Sequence, residues 1–205
     1  MLGVVCDKSK KYLCDMKTVT ILIAETAVPA AIVDPRYMFT AVNEFHRAAG
    51  LELPFKVQLA AAKHEVILNQ GSFSVRPDVL LQDVKSTDLI IIPALSGDME
   101  EAISLNKEII PWVQEQYKNG AEVASLCVGA FLLASTGLLN GKSCSTHWMF
   151  AQTFRKLFPE VELADDRVIV YQNGIYSIGG AMAYWNLLLY LVEKYTSKEI
   201  SVMAY

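Results

Sequence analysis

The sequence predicts an α/β fold: a doubly wound, mostly parallel sheet with helices on both faces. Continuous β-rich apolar runs of strand length recur, Thr18–Ala24 and Asp88–Pro93 among them. Such runs suit strands buried on both faces of a parallel sheet. Helix-patterned stretches separate them, and alternating strands and helices cover a parallel sheet on both sides. Finally, Cys127 stands between an apolar strand and an apolar helix, with Ser125 two positions before it and Gly129 two after. Small residues at those places are what a sharp strand–helix turn requires.

In chain order, Thr18–Ala24 is the first strand. Asp34-Pro35 opens a helix, with Asp34 as N-cap and Pro35 at the first helical position, and Gly50 closes it. Phe55–Ala61 is the second strand. Val66–Val75 is a hairpin turning at Asn69-Gln70-Gly71, and Val79–Val84 is a short apolar piece. Asp88–Pro93 is the third core strand, stopped by its proline. Asp98–Asn119 is helical, with Pro111 marking a break or a second start. Val123–Leu126 leads into Cys127 and a short helix, and a Gly137–Gly141 turn precedes Lys142–Thr146. A helix spans Trp148–Phe158. Val161–Leu163, Arg167–Gln172 and Ile175–Ile178 are strands, the last two joined by the Asn173-Gly174 turn signal. Ala181–Tyr195 is an apolar closing helix. There are no internal repeats and no low-complexity linker, and nothing suggests a second domain.

With 205 residues, 53% hydrophobic and 20% charged, the chain is expected to bury one proper core. Its formal net charge of −4 argues against a nucleic-acid surface, which needs a basic face. No apolar run approaches a membrane span. Residues 1–16 read as an extension: the apolar start is broken by Asp7 and a lysine cluster, unlike a secretory signal. Cys6, Cys14, Cys127 and Cys144 do not form a disulfide framework, so a reducing cytoplasm is the expected setting. His46, His64 and the cysteines other than Cys127 lack metal-type spacing. There is no phosphate loop, dinucleotide fingerprint or Gly-x-Ser-x-Gly. No metal or cofactor is expected.

Cys127 has two readings on its spacing: a thiolate at a strand–helix elbow, its pKa lowered by the helix N-terminus, or a buried cysteine used as a small hydrophobe. His147 closes the run Ser143-Cys-Ser-Thr-His. If the strand ending at Thr146 lies beside the elbow strand, His147 reaches the carboxyl edge where ligands gather; otherwise it caps the next helix. Gly97 is either an oxyanion-type N–H donor at that edge or turn punctuation. Glu25 either faces the crevice or is a loop carboxylate. The glycines of Ser177-Ile-Gly-Gly180 permit close approach by a ligand or tight strand–helix packing.

Taken together, IIIPALSGD, ASLCVGAFLLASTGLLNGK, CSTHW and SIGGAMAYWNLLLYLVEKY resemble the ThiJ/PfpI superfamily. The closer resemblance is to its class I glutamine amidotransferase-like branch in AraC-type (GlxA-like) transcriptional regulators, over residues 17–200. The resemblance implies a flavodoxin-like sheet, makes Cys127 the elbow residue and supports a Cys127–His147 neighbourhood. It also sets out three departures. Enzymes of the superfamily carry an acid four positions before the proline corresponding to Pro35, where this chain has Ala31. Its proteases have His directly after the cysteine, where this chain has Val128. Close relatives have Asp near the start of the last helix, where this chain has Asn186.

All three departures lean away from catalysis. The expected function is therefore a ligand-sensing, dimerising domain whose DNA-binding helix-turn-helix region follows in a longer protein. Its small-molecule effector is expected near Cys127, Val128, His147, Trp148, Gly97, Gly179 and Glu25. The alternatives are a cysteine-dependent enzyme of the isonitrile hydratase or amidase type, with Cys127 as nucleophile and His147 as base, and a redox-sensing thiol.

Overall fold

The computed structural model describes residues 16–164, 167–180 and 182–205. Most of the expected extension, with Cys6 and Cys14, lies outside the described residues, as does Ala181, the expected start of the closing helix. A seven-stranded sheet forms the centre. Its parallel part consists of β1 (Lys17–Leu22), β2 (Phe55–Ala61), β5 (Val79–Leu80), β6 (Leu89–Ile92), β7 (Glu122–Leu126) and β11 (Ile175–Ile178). The order is β10-β11-β7-β6-β1-β2-β5, with β10 (Ile169–Gln172) antiparallel to β11 at one edge. Every residue of β6 and β11 is buried, and so are the last four of both β1 and β7. This is why their sequences run apolar without alternating.

Helix α1 (Ala30–Ala48) begins four residues before the expected Asp34, with Pro29 at its N-cap and Pro35 in its second turn. Proline removes a helical N–H. Yet Ala31, Ile32, Pro35, Met38, Phe39 and Val42 form one buried face at three- and four-residue spacing, and its packing on the sheet carries the helix through the proline. The Asp98–Asn119 stretch is two helices, α2 (Met99–Leu105) and α3 (Ile109–Lys118); Asp98 caps the first, and Pro111 lies in the first turn of the second. The hairpin is β3 (Val66–Leu68) with β4 (Phe73–Val75), and positive φ at Asn69, Gln70 and Gly71 makes its turn.

After α4 (Ala130–Ser135), the strand before His147 departs from expectation. β8 (Ser143–Cys144) pairs with β9 (Glu162–Leu163) in a separate two-stranded sheet, with α5 (Ala151–Leu157) between them in sequence. The strand beside β7 on that side is β11. Helix α6 (Tyr184–Tyr195) closes the domain as expected, but a further helix, α7 (Lys198–Ala204), follows it. Ser197 caps α7, accepting a hydrogen bond from the Ile200 N–H at 3.3 Å. No helix among the described residues is long and apolar enough to cross a membrane.

Candidate functional site

β7 lies between β6 and β11, in register so that Ser125 faces Ile92 and Leu126 faces Ile178. The chain leaving β7 therefore emerges at the middle of the sheet's carboxyl edge. Cys127 is the first residue out, in the left-handed region at φ 53°. A non-glycine residue held there costs of order 1–3 kcal/mol, so its surroundings must impose the conformation. Gly129 shows how. A Cβ at that position would stand 2.4 Å from the Pro93 carbonyl oxygen and 2.9 Å from that of Ile92. The turn is pressed onto the end of β6 so closely that only glycine fits. Gly179 plays the same part on the other side, where a Cβ would meet the Thr146 oxygen at 2.5 Å. Of its two readings, tight packing is the one this contact explains.

Cys127 is a buried residue, at 7% exposure. Burial pushes its pKa above the ordinary thiol range, and the facing N–H groups of Val128 and Gly180, which favour the thiolate, only partly offset this. Burial thus opposes the expected lowering by a helix N-terminus. A 3-10 turn over Cys127–Gly129 intervenes before α4, which is only six residues long.

His147 caps the turn that precedes α5. Its Nδ1 accepts a hydrogen bond from the Met149 N–H at 3.3 Å, and its ring stacks on Trp148. The loop before it crosses the ends of β11 and β7: the Ser145 N–H donates to Ser177 Oγ at 2.9 Å, and Thr146 Oγ1 donates to the Cys127 carbonyl at 3.3 Å. The backbone of the CSTHW run thus lies over Cys127, while the imidazole is engaged in capping.

Beside this loop opens a cleft of about 460 Å³ whose lining includes Thr146, Trp148, Arg155, Arg167, Gly179 and Gly180. Gly180 links it to the sulfur, since its N–H faces Cys127. Trp148 is 75% exposed at the rim, and Val128 is buried. Of the expected members, Trp148 and Gly179 line the cleft; Cys127, Val128 and His147 are not in its lining, and Glu25 and Gly97 lie elsewhere. Glu25 lines a separate cavity of about 100 Å³, where it pairs with Lys63 at 2.5 Å. Gly97 is an exposed turn residue at φ 82° with open space around its Cα. Ala31 is buried at 1% exposure. Three residues further along α1, Asp34 accepts a hydrogen bond of 2.5 Å from the hydroxyl of Tyr184 at the start of α6. Tyr184 is buried.

Sequence reasoning missed Arg155 and Arg167. Trp148, Ala151 and Arg155 stand at the 0, +3 and +7 spacing of one helical face, a signal that was there to be read. Nothing local marks Arg167. Among the described residues, no group of three or more His, Cys, Asp or Glu side chains could hold a metal ion.

The sequence pattern of the DJ-1/PfpI family matches residues 17–193. Among curated proteins, the transcriptional regulator GbdR of Pseudomonas aeruginosa is 27% identical over 127 residues, 62% of this chain and 34% of GbdR. The regulator CdhR of the same organism is 24% identical over 160 residues, 78% of this chain and 45% of CdhR. The chain thus spans between a third and a half of the length of these relatives. Among solved structures, a putative transcriptional regulator from Vibrio parahaemolyticus superposes with a TM-score of 0.80 at 23% identity, covering 92% of this chain and 96% of that one.

Proposed function

We propose, because this chain belongs to the DJ-1/PfpI family, that it is the ligand-sensing, dimerising part of a cytoplasmic AraC-type transcriptional regulator and does not turn its ligand over. The observation that carries this reading is a cleft at the sheet's carboxyl edge whose lining includes Gly180, the residue whose N–H faces the sulfur of the buried Cys127; burial pushes that thiol's pKa up. Such a site can hold a small molecule. It lacks the ready nucleophile that would transform one. Ala31 in place of the family's acid and an imidazole committed to capping point the same way. The matched relatives GbdR and CdhR are regulators whose remaining length lies outside the match. DNA contact belongs, on this reading, to a region of that kind.

Thermal-shift screening against small metabolites tests the ligand. We expect a stabilising compound, because a ligand that binds only the folded state raises its stability by mass action. Ala151→Trp, placed on the cleft wall, should abolish the shift. A shift that persists in that variant moves the effector site elsewhere.

One observation favours a second reading. Cys127 sits at positive φ with two backbone N–H groups facing its sulfur, and that arrangement also serves a cysteine-dependent hydrolase or hydratase. Turnover of isonitriles or small amides that Cys127→Ser abolishes would establish it.

A further inference from the structure

From the second cavity we infer that the protein binds a small primary amine, in its ammonium form, at Glu25, in the place that the ammonium of Lys63 now fills. The inference is independent of the sensing reading. This cavity lies at the ends of β1 and β2, whereas the cleft takes its glycines from the end of β11. Most of its lining is apolar: Ile23, Ala62, Val66, Leu105 and Ile109. Its volume of about 100 Å³ has room for about three water-sized groups, which limits the ligand to a chain of a few carbons. The polar members supply the recognition. Buried Asn106 accepts a hydrogen bond from the Glu25 N–H at 2.8 Å and donates one to the Glu25 carbonyl at 2.9 Å, so one amide fixes the Glu25 backbone on both sides. Thr26, next in the chain, stands at φ 66°, a strained conformation for a β-branched residue. Ser96 holds it there, its N–H and its hydroxyl both donating to the Thr26 carbonyl, at 2.9 and 2.8 Å. The Glu25 carboxylate is therefore placed by the fold, and its side chain is only 23% exposed.

Its partner is held less firmly. The Lys63 side chain, 62% exposed, reaches Glu25 at 2.5 Å from the loop after β2. Exposed pairs of this kind are weak, and a lysine ammonium is a point charge on a flexible stem. Glu108 adds a second carboxylate to the lining, so two carboxylates face one ammonium. A free primary ammonium offers the same three N–H donors as Lys63. It replaces Lys63 at Glu25, one cation for another, while its alkyl chain fills the apolar part of the cavity. Lys63 is then a tethered competitor for the site. A quaternary ammonium has no N–H to donate and cannot make the exchange. The probe is n-propylammonium chloride, titrated into the full chain at constant ionic strength while methyl NMR follows Ile23, Val66, Leu105 and Ile109. We expect a saturable shift at those methyls with a Kd of about 10 mM, within the limit for so few heavy atoms. Tetramethylammonium chloride should bind about tenfold more weakly, because it lacks the charge-assisted hydrogen bond. Glu25→Gln, which leaves the backbone bonds to Asn106 in place, should weaken propylammonium by about tenfold on the same grounds. Lys63→Met should tighten it about two- to fivefold, by removing the competitor. Lys107→Met removes a cation that adjoins Glu108 in sequence but does not line the cavity, and should leave the affinity unchanged.

A shift that never saturates overturns the proposal, as does tetramethylammonium binding as tightly as propylammonium. Undiminished affinity in Glu25→Gln overturns it too. If Lys63→Met fails to tighten binding, or Lys107→Met tightens it equally, then Lys63 is not what the ligand displaces and the proposal falls. Should Glu25→Gln not fold, the wild-type and Lys63→Met titrations decide the matter by themselves. None of these failures touches the sensing reading, which is judged at the Cys127 cleft through Ala151→Trp. A cleft that binds nothing would likewise leave the propylammonium titration standing.

Discussion

Cys127 and the glycines that hold it, Gly129 and Gly179, set what the site can do. Because burial raises the Cys127 pKa, its alkylation by iodoacetamide should follow an apparent pKa above the roughly 8.5 of a free thiol. A value below 7 would mean that the N–H groups of Val128 and Gly180 outweigh desolvation. Gly129→Ala should destabilise the fold by about 2–3 kcal/mol, the upper range for overpacking, because the new Cβ meets backbone oxygens that cannot swing away. Urea unfolding reads this, and a loss within about 0.5 kcal/mol, the range of an ordinary surface change, would show that β6 yields. Cys144, fully buried, has its thiol pushed up to about 12. A pKa raised in the folded state means that folding favours the proton. That contribution is intact below the unfolded value near 8.5 and is lost as pH climbs towards 12. Stability should fall across that window less steeply in Cys144→Ala than in the wild type. The special place of Cys127 was legible because small residues flanked it. Its depth of burial was not, since that depends on a loop from β8 laid across it.

At the scale of elements, the sequence revealed most where one segment decides its own structure. The continuous apolar runs gave β1 and β6, the Asn173-Gly174 turn signal joined β10 to β11, and Asp98 and Pro111 marked the starts of α2 and α3. It misled where distant packing overrode a local signal. Asp34-Pro35 looks like a helix opening, but the buried stripe from Ala31 to Val42 draws the helix back to Ala30. The pairing of β8 with β9 depends on chain geometry that no local pattern encodes. The cap at Ser197 was legible and was passed over. A cluster at the opposite end of β7 also escaped notice. There the Glu122 carboxylate accepts hydrogen bonds from Lys194 and from the hydroxyls of Tyr176 and Tyr195, tying α6 to β7 and β11. Desolvation raises its pKa, but those partners together hold it below the usual carboxylate value. A lowered pKa stabilises above the unfolded value near 4.3, and the gain disappears as pH drops through the folded one. Glu122→Gln should cost about 1–2 kcal/mol at neutral pH and flatten the acid limb of the stability profile. An unchanged acid limb would show the cluster to be incidental.

Over the whole molecule, the proposed sensing role requires a surface on which two copies of the DJ-1/PfpI domain can meet. Tyr37, 66% exposed on α1, and Val33 one turn before it form an apolar strip, and Tyr190 on α6 is also exposed. Surfaces of this kind are commonly covered by a second subunit. Sedimentation at tens of micromolar should therefore find a homodimer, and a monomer there would contradict the dimerising role. The central claim is that the Cys127 site binds without transforming. Steady-state turnover of small isonitriles and amides by the wild-type protein and by Cys127→Ser tests it most directly. The account predicts the same background rate for both proteins. Robust wild-type turnover that disappears with the substitution would make this protein an enzyme and contradict the account.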